Sequence, residues 1–235
     1  MRFYDLHVHT EDLDQTIKVA KLLGISGLGL IINWTNLTNL ESFKKSIEPY
    51  KKDMDIGVGV EIKDKPHNIV KIVKQLRRSV ELILVHGGDV EMNRAAVETA
   101  EVDILLHPEL KDPNEESRQD SGLDKVIVKL AKKNNVAIEF GLNDVVYSYK
   151  KTRASVLKNL LYNAKLVKKY KAPFILTSGS WSPWNLRSTS EILSFGKYLG
   201  FQDPEIKKAL SGQKLLENRR KLSGKWIMPG VEIVS

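Results

Sequence analysis

The chain has 235 residues, of which 42% are hydrophobic, so it is long enough to bury a large core in a single domain. It contains no cysteine, which excludes disulfides, zinc–thiolate sites and thiol nucleophiles, and its formal net charge of +8 favours polyanionic partners. Residues 1–10 carry Asp5, His7 and His9 in place of an apolar run behind a basic start, so we expect neither a secretory signal nor a membrane helix, and a cytoplasmic location with no membrane partner.

Short apolar segments alternate along the chain with longer amphipathic segments. Strands are predicted at residues 3–8, 27–32, 56–62, 82–85, 104–106, 136–140 and 174–177. Each is apolar nearly throughout, as expected for the strands of a parallel sheet that is covered on both faces. Helices are predicted between and after them at residues 13–23, 39–50, 66–77, 93–100, 121–134, 153–169 and 189–199. Ser121 is expected to cap the helix 121–134, and Thr189 with Glu191 to start the helix 189–199.

The regular alternation of strand and helix predicts an α/β fold, either a (β/α) barrel or a doubly wound sheet. Seven or eight such units in a chain of this length favour a TIM-like (β/α) barrel with seven to eight parallel strands. We predict one domain over residues 1–235, with a basic helical extension that begins at about residue 203.

The first strand places Asp5, His7 and His9 at every second position, so these side chains are expected to face one side. His7 and His9 would then lie together at the carboxyl end of the strand, where barrel active sites are built. Neutral imidazoles with a carboxylate suit zinc, manganese or iron, and such an ion activates water for hydrolysis of phosphate esters. The alternative is that these histidines only form hydrogen bonds near the barrel rim. Further candidates that follow later strands are Glu61, His86 and His107.

This histidine pattern resembles that of the polymerase-and-histidinol-phosphatase (PHP) family, whose metal sites begin with His-x-His after the first strand and continue with Gly-x-Glu and His-Pro. The positions that fit the pattern are His7, His9, Glu61 and His107. Two motifs of that family are replaced: Asn33-Trp34 stands for its Asp-His, and Ser178-Gly179-Ser180-Trp181 for its Ser-Asp-x-His. The resemblance implies a PHP-like barrel and, as the alternative function, a metal-dependent phosphoesterase with a divalent metal at His7 and His9.

The positive charge of the chain is concentrated in one stretch. Residues 145–190 contain nine Lys and Arg and no Asp or Glu, whereas the rest of the chain carries 28 basic and 29 acidic residues. A segment of this kind is typical of a surface that binds phosphate backbones. The alternative is a lysine-rich helix whose charges are only solvated.

The second half of the chain resembles one family more closely. It reads NVAIEF at residues 135–140, YS at 147–148, a basic helix from Arg153 to Tyr170, ILTSG at 175–179 and WNLR at 184–187. These segments resemble the protein component 3 family of archaeal ribonuclease P, which is similar to a eukaryotic thirty-kilodalton subunit and to the PHP family in fold.

The resemblance implies a subunit of an enzyme in which RNA, with magnesium held by RNA phosphates, removes the 5′ leader of precursor tRNA. The protein itself would then carry no catalytic residue and bind no cofactor, and its partners would be the ribonuclease P RNA, a smaller protein subunit and, through the complex, precursor tRNA. The chain would support cleavage by binding and stabilising the catalytic RNA, largely through its shape.

The RNA-binding candidates are basic residues of the segment 145–190. Arg187 ranks first because it matches a family position in WNLR and its guanidinium can grip a phosphate through two hydrogen bonds. The other candidates are Lys168, Lys169, Arg153, Lys158 and Lys165. Thr177-Ser178-Gly179-Ser180 could hold a phosphate through its backbone N–H groups. Trp181 and Trp184 either stack on bases or pack across the barrel end, and the sequence assigns them no role.

Overall fold

The computed structural model describes residues 2–109, 121–223, 226–228 and 231–232. In this part of the chain the main sheet has seven parallel strands, arranged in chain order from β1 to β7. Their bounds are Tyr4–Val8 (β1), Gly27–Asn33 (β2), Asp55–Ile62 (β3), Leu82–His86 (β4), Ile104–Leu106 (β5), Ala137–Gly141 (β6) and Phe174–Thr177 (β7). The predicted α/β class and parallel strands are confirmed.

Helices connect successive strands and continue after β7. Their bounds are Leu13–Leu22 (α1), Leu40–Ile47 (α2), Ile69–Leu76 (α3), Val90–Glu98 (α4), Lys125–Asn134 (α5), Leu142–Val146 (α6), Lys150–Tyr170 (α7), Thr189–Tyr198 (α8), Asp203–Ala209 (α9) and Gln213–Leu222 (α10). Trp226–Met228 (β8) and Val231–Glu232 (β9) form a separate antiparallel pair.

One predicted helix cap is wrong, and one predicted helix start is confirmed. The cap of α5 is Asp124, whose carboxylate accepts hydrogen bonds from the backbone N–H groups of Val126 and Ile127, and not Ser121. Helix α8 begins at Thr189, as predicted, and its cap is the preceding Ser188, which forms a capping box with Glu191. Both positions offer a second polar residue within a few places, so the composition alone does not single out the cap.

The sheet curls into a nearly closed barrel. At the carboxyl end of the strands, Val8 pairs with Ser180, and the amide of His9 donates to the Ser180 carbonyl over 2.7 Å. At the other end, the amide of Tyr4 donates to the carbonyl of Leu210, which follows α9, over 2.9 Å. The first and last strands therefore meet directly at the top of the barrel and through the segment after α9 at the bottom.

Two apolar clusters fill the molecule. The larger lies between the strands and the surrounding helices. The smaller lies inside the barrel, and its members come from the strands and α10: Tyr4, Leu6, Ile31, Leu82, Leu84, Ile104, Leu106, Ala137, Ile175 and Leu215. Strand β3 makes room for α10 with a glycine, because a Cβ on Gly57 would lie 2.2 Å from a methyl group of Leu215. Leu215 therefore plugs the bottom of the barrel.

The basic segment after residue 203 packs on the amino-terminal face of the barrel. The guanidinium of Arg219 on α10 contacts the carboxylates of Asp55 and Glu81 at the starts of β3 and β4, and donates to the carbonyl of Ile56. The amide of Asn218 donates to Asp103, just before β5. Part of the charge of this segment is thus neutralised by the barrel.

None of the helices α1 to α10 has the length and apolar character of a membrane span, as far as residues 2–109 and 121–223 are concerned.

Candidate functional site

Four of the five histidines of the chain meet at the carboxyl ends of the strands. His7 belongs to β1, His9 follows it, His86 ends β4, and His107 follows β5. Their ring centroids lie 5.1 to 5.4 Å from the nearest neighbouring imidazole. Four carboxylate side chains lie among these imidazoles. We call the whole set the histidine–carboxylate cluster; its members are His7, His9, Glu61, His86, His107, Glu109, Glu139 and Asp144.

Glu61, at the end of β3, joins two of the imidazoles. Its Oε2 accepts a hydrogen bond from His9 Nε2 over 2.8 Å, and its Oε1 accepts one from His86 Nδ1 over 2.6 Å. Burial opposes the charged form, but the hydrogen bonds from His86 and His9 hold the pKa of Glu61 well below its usual value. Glu61 is therefore ionised across the physiological range.

Glu139 lies at the centre of the site and is 1% exposed. Its Oε1 accepts hydrogen bonds from His7 Nδ1 over 2.7 Å and from the Thr177 hydroxyl. Burial opposes ionisation here too, but the charge and hydrogen bond of His7 lower the pKa of Glu139 to about 2. Burial lowers the pKa of His7, yet Glu139 outweighs it and the pKa of His7 is raised. The two form a buried ion pair.

A third group surrounds His107, whose backbone φ of 46° is left-handed. Its Nδ1 donates to Asp144 Oδ2 over 2.9 Å. Burial disfavours the imidazolium, but the Asp144 carboxylate raises the pKa of His107 to about 10. Burial, together with the charge of Asp144, raises the pKa of Glu109 to about 8, so this carboxyl group is largely neutral at pH 7.

The cluster contains sets of ligand atoms that fit a divalent ion. Three sets converge within 4.8 Å: His7, His9 and Glu61; His7, His107 and Glu139; and His107, Glu109 and Asp144. His7 donates through Nδ1 to Glu139 and turns Nε2 towards Glu61 at 4.0 Å, which is the carboxylate–histidine arrangement that orients a metal-binding imidazole. The buried Oε2 of Glu139 has no hydrogen-bond partner. Nitrogen and oxygen donors of this kind suit zinc or manganese.

The predicted set of His7, His9, Glu61 and His107 is thus brought to one end of the barrel, and His86 joins it. His107 is not grouped with His9 and Glu61, because its Nδ1 is turned towards Asp144. The prediction for Asp5 is wrong. The four residues of β1 from Asp5 to Val8 lie opposite the three of β2 from Leu28 to Leu30, so the alternation of sides is broken. The Asp5 carboxylate instead accepts from the backbone N–H of Ser178 over 3.2 Å.

The sequence did not identify Glu139, Asp144 or Glu109 as members of the site. A signal existed for Glu139, which is the only charged residue within the apolar run 136–140. A carboxylate in such a run is buried and must find a partner. Which imidazole it meets depends on the barrel closing, since His7 lies 132 positions earlier in the chain.

The segment Thr177-Ser178-Gly179-Ser180 does not form the predicted phosphate cradle. The N–H of Ser178 is bound to Asp5, and the N–H of Ser180 donates to the carbonyl of His7 over 3.1 Å. Both serines are fully buried. Their N–H groups hold β7 against β1, so they are not available to a ligand.

The two arginines among the RNA-binding candidates lie at the carboxyl end of the barrel. Arg187 is partly exposed and its Nη1 approaches only the carbonyls of Trp184 and Leu186, at 3.5 and 3.3 Å. Arg153 is exposed, but its guanidinium donates to the carbonyls of Ser148 and Val146 over 2.8 and 3.0 Å, where it caps α6. Arg187 therefore has the freer guanidinium of the two.

The other candidates lie along α7, which runs from the carboxyl end of β6 back to the start of β7. The exposed ones are Lys158, Lys165, Lys168 and Lys169. Lys168 lies about 22 Å along the axis from Arg153, at 1.5 Å per residue. Lys168 also lines a cavity of about 510 Å³ near the amino end of the barrel, together with Lys132, Lys171, Lys208 and Lys214. The positive charges of the segment 145–190 thus lie at both ends of the barrel and along α7, which connects them. They do not form one compact patch.

Four aromatic side chains stand out from the rim beside the cluster. Tyr147 and Tyr149 follow α6, and Trp181 and Trp184 follow β7. Their exposed fractions are 52%, 70%, 51% and 71%. The ring of Trp181 contacts that of Tyr147, with 4.7 Å between the centroids, so this tryptophan is both exposed and packed against a neighbouring loop.

Comparison with known proteins assigns the chain to a family. A family model described as RNase P subunit p30 matches residues 2–223. Among curated proteins, the chain is 30% identical to ribonuclease P protein component 3 of Methanosarcina barkeri over 241 aligned residues, covering 99% of this chain and 96% of that protein.

Two solved structures share the fold. A chain in the cryo-EM structure of archaeal ribonuclease P with mature tRNA superposes with a TM-score of 0.72 at 24% identity, covering 97% of each chain. Histidinol phosphate phosphatase from Lactococcus lactis, solved with zinc, L-histidinol and phosphate, superposes with a TM-score of 0.55 at 12% identity, covering 85% of this chain and 93% of that one. These likenesses confirm the predicted TIM-like, PHP-like barrel.

Proposed function

The chain belongs to the ribonuclease P subunit p30 family and is a protein subunit of that enzyme, and we propose that it supports cleavage by holding the catalytic RNA with the basic segment 145–190. Removal of the 5′ leader of precursor tRNA is then the work of the holoenzyme, with RNA as the catalyst and magnesium bound by RNA phosphates. The phosphoesterase alternative is disfavoured, since the family match is to the subunit and two of the PHP ligand motifs are replaced.

The observation that carries the proposal is the absence of carboxylates from residues 145–190, combined with the surface position of their charges. Eight of the nine Lys and Arg side chains are exposed, and Arg187 is partly exposed. Each cation that meets a phosphate releases condensed counterions, so affinity should fall steeply with salt. Binding of this kind follows the shape of the RNA and its backbone more than its base sequence.

The partners we propose are the ribonuclease P RNA, a smaller protein subunit and, within the complex, precursor tRNA. The test is cleavage of precursor tRNA by the catalytic RNA at limiting magnesium, with and without this chain and the smaller subunit. Stimulation that needs both proteins, without cleavage by protein alone, is the expected result. Phosphoester hydrolysis by the purified chain without any stimulation would contradict the proposal. The cytoplasmic location predicted from the sequence belongs to the same proposal.

The contribution of the basic segment is tested with single charges. Arg187→Ala should weaken RNA binding and lower the slope of log affinity against log salt by about 0.7 to 0.9, the value for one lost phosphate contact. Lys71→Ala on α3 removes one exposed positive charge outside the segment and is the matched control. Equal effects of the two substitutions would mean that only net charge matters.

We also propose that the histidine–carboxylate cluster binds a divalent ion, with His7, His9 and Glu61 as its ligands. A bound ion supplies a positive charge that links the ends of β1 and β3. After dialysis against zinc or manganese, wild-type protein should retain metal measured by mass spectrometry, and its melting temperature should rise. His9→Ala should retain less metal, whereas His67→Ala, which removes the exposed histidine outside the cluster, should behave as wild type. Equal metal content in all three proteins would refute this site.

A further inference from the structure

We propose that Tyr147, Trp181 and Trp184 form a stacking platform for an unpaired nucleotide of RNA, with Lys150 and Arg187 as its phosphate contacts. The inference rests on the proposed function and names the kind of RNA element that this rim takes. We call these three aromatic residues the rim platform.

The side chains of the rim platform are exposed to solvent. Large aromatic side chains are mostly buried in proteins, and exposed ones that gather in one place mark a binding surface. The side chains of the rim platform are between 51% and 71% exposed. Tyr147 follows α6 and Trp181 follows β7, so the contact between their rings is set by the barrel and not by the local sequence. Trp184 lies three residues after Trp181 in the same loop.

Contacts within the protein hold part of the rim platform in a fixed position. The rings of Tyr147 and Trp181 lie 4.7 Å apart between centroids, with a tilt of 58°. The hydroxyl of Tyr147 also accepts a hydrogen bond from the side-chain amide of the buried Asn185. The side-chain amide of Asn143 in turn donates to the carbonyl of Asn185 over 2.9 Å, which ties the loop after β7 to α6. The platform is therefore held in place before any ligand arrives, which lowers the entropic cost of binding.

Positive charge near the rim platform favours a ligand that carries phosphate. Arg187 lies three residues after Trp184, and Lys150 stands beside Tyr149 with its ammonium 5.0 Å from the ring centroid. No carboxylate occurs between residues 145 and 190, and the neighbouring Asp144 is bound to His107. A nucleotide matches both the aromatic rings and the positive charge of this surface, because its base can stack on a ring and its phosphate is negatively charged. A base in a helix is already stacked, so the match is to an unpaired nucleotide.

The platform is tested on the full chain with a fluorescently labelled, single-stranded oligouridylate of eight nucleotides, whose affinity is read from fluorescence anisotropy. Trp184→Ala should weaken binding by about 5- to 100-fold, the range for one lost base-stacking contact. Its salt slope should stay unchanged, because no phosphate contact is removed. Trp184→Phe should restore most of the affinity, since it keeps an aromatic face.

Tyr198→Ala is the matched control, because Tyr198 is 56% exposed on α8 and lies outside the rim platform. Wild-type affinity in Trp184→Ala, or an equal loss in Tyr198→Ala, would overturn the platform. Loss of the smaller protein subunit from Trp184→Ala with unchanged oligouridylate affinity would overturn it too, in favour of a protein partner. The cleavage assay at limiting magnesium decides the subunit role separately, so the platform can fail while stimulation by the wild-type chain persists.

Discussion

Three carboxylates of the histidine–carboxylate cluster, one buried and two partly buried, each have an imidazole at hydrogen-bond distance. Glu139 pairs with His7, Glu61 with His9 and His86, and Asp144 with His107. A buried charge without a partner costs several kcal/mol, so these pairs are required once the residues are placed at the barrel end. The cluster is therefore part of the stability of the barrel whether or not it binds an ion.

Glu139→Gln should destabilise the protein by about 3 to 5 kcal/mol, because it leaves the buried His7 without its counter-charge. The measurement is chemical denaturation followed by circular dichroism. Glu98→Gln removes one partner of the exposed Arg94–Glu98 pair on α4 and should cost less than about 1 kcal/mol. A loss below 1 kcal/mol in Glu139→Gln would show that the pair is not needed for folding.

At the residue scale the sequence predicts the imidazoles better than their partners. His7 and His9 are found because they lie two positions apart at the end of the first strand, and Glu61 and His107 because they lie at or just after the ends of later strands. The partners of Glu139 and Asp144 are identified only from the structure, since each carboxylate meets a histidine that belongs to or follows another strand. The side of Asp5 is missed because a bulge in β1 cannot be read from alternating residues.

At the scale of elements, α10 is the helix that the sequence describes least well. Its charge predicts a basic extension, but α10 closes the bottom of the barrel through Leu215 and Arg219. We propose that the segment from about residue 203 belongs to the same single domain as the barrel. The amphipathic pattern of α10 shows that one face of the helix is buried. Only the three-dimensional arrangement shows that this face covers the amino-terminal end of the barrel, which we call the barrel floor.

Arg219→Ala should destabilise the protein by about 1.5 to 3 kcal/mol, since it leaves the partly buried Asp55 and Glu81 without their charged donor. Arg220→Ala is a matched control on the same helix, because Arg220 is exposed and should change stability by no more than about 0.5 kcal/mol. Thermal unfolding of both variants measures the difference. Equal melting temperatures would show that α10 is not anchored by this contact.

At the scale of the whole molecule, the basic segment 145–190 reaches both ends of the barrel. Arg187 and Lys150 lie at the carboxyl end, and Lys168 and Lys169 near the amino end, because α7 runs the length of the barrel. A sequence shows that charge is concentrated but not that a helix divides it between two ends. An RNA that follows α7 can contact both.

Double substitutions at the two ends should act independently on RNA affinity. Lys150→Ala with Arg187→Ala removes charge at one end, and Lys168→Ala with Lys169→Ala at the other. Sites this far apart are expected to have additive effects, so the free-energy loss of the fourfold variant should equal the sum of the two within about 0.5 kcal/mol. Filter binding to the catalytic RNA measures all four proteins. No loss at one end would restrict the RNA to the opposite end of α7.

The barrel floor also sets an order for folding during synthesis. All seven parallel strands precede α10 in the chain, yet the cluster inside the barrel is completed by Leu215. The ribosome therefore delivers the entire sheet before the residue that seals it, and the inner faces of the strands stay open to water until then. Newly made chains are expected to depend on chaperones up to that point, and ribosome-stalled chains that stop before α10 should be far more sensitive to protease than chains that include it.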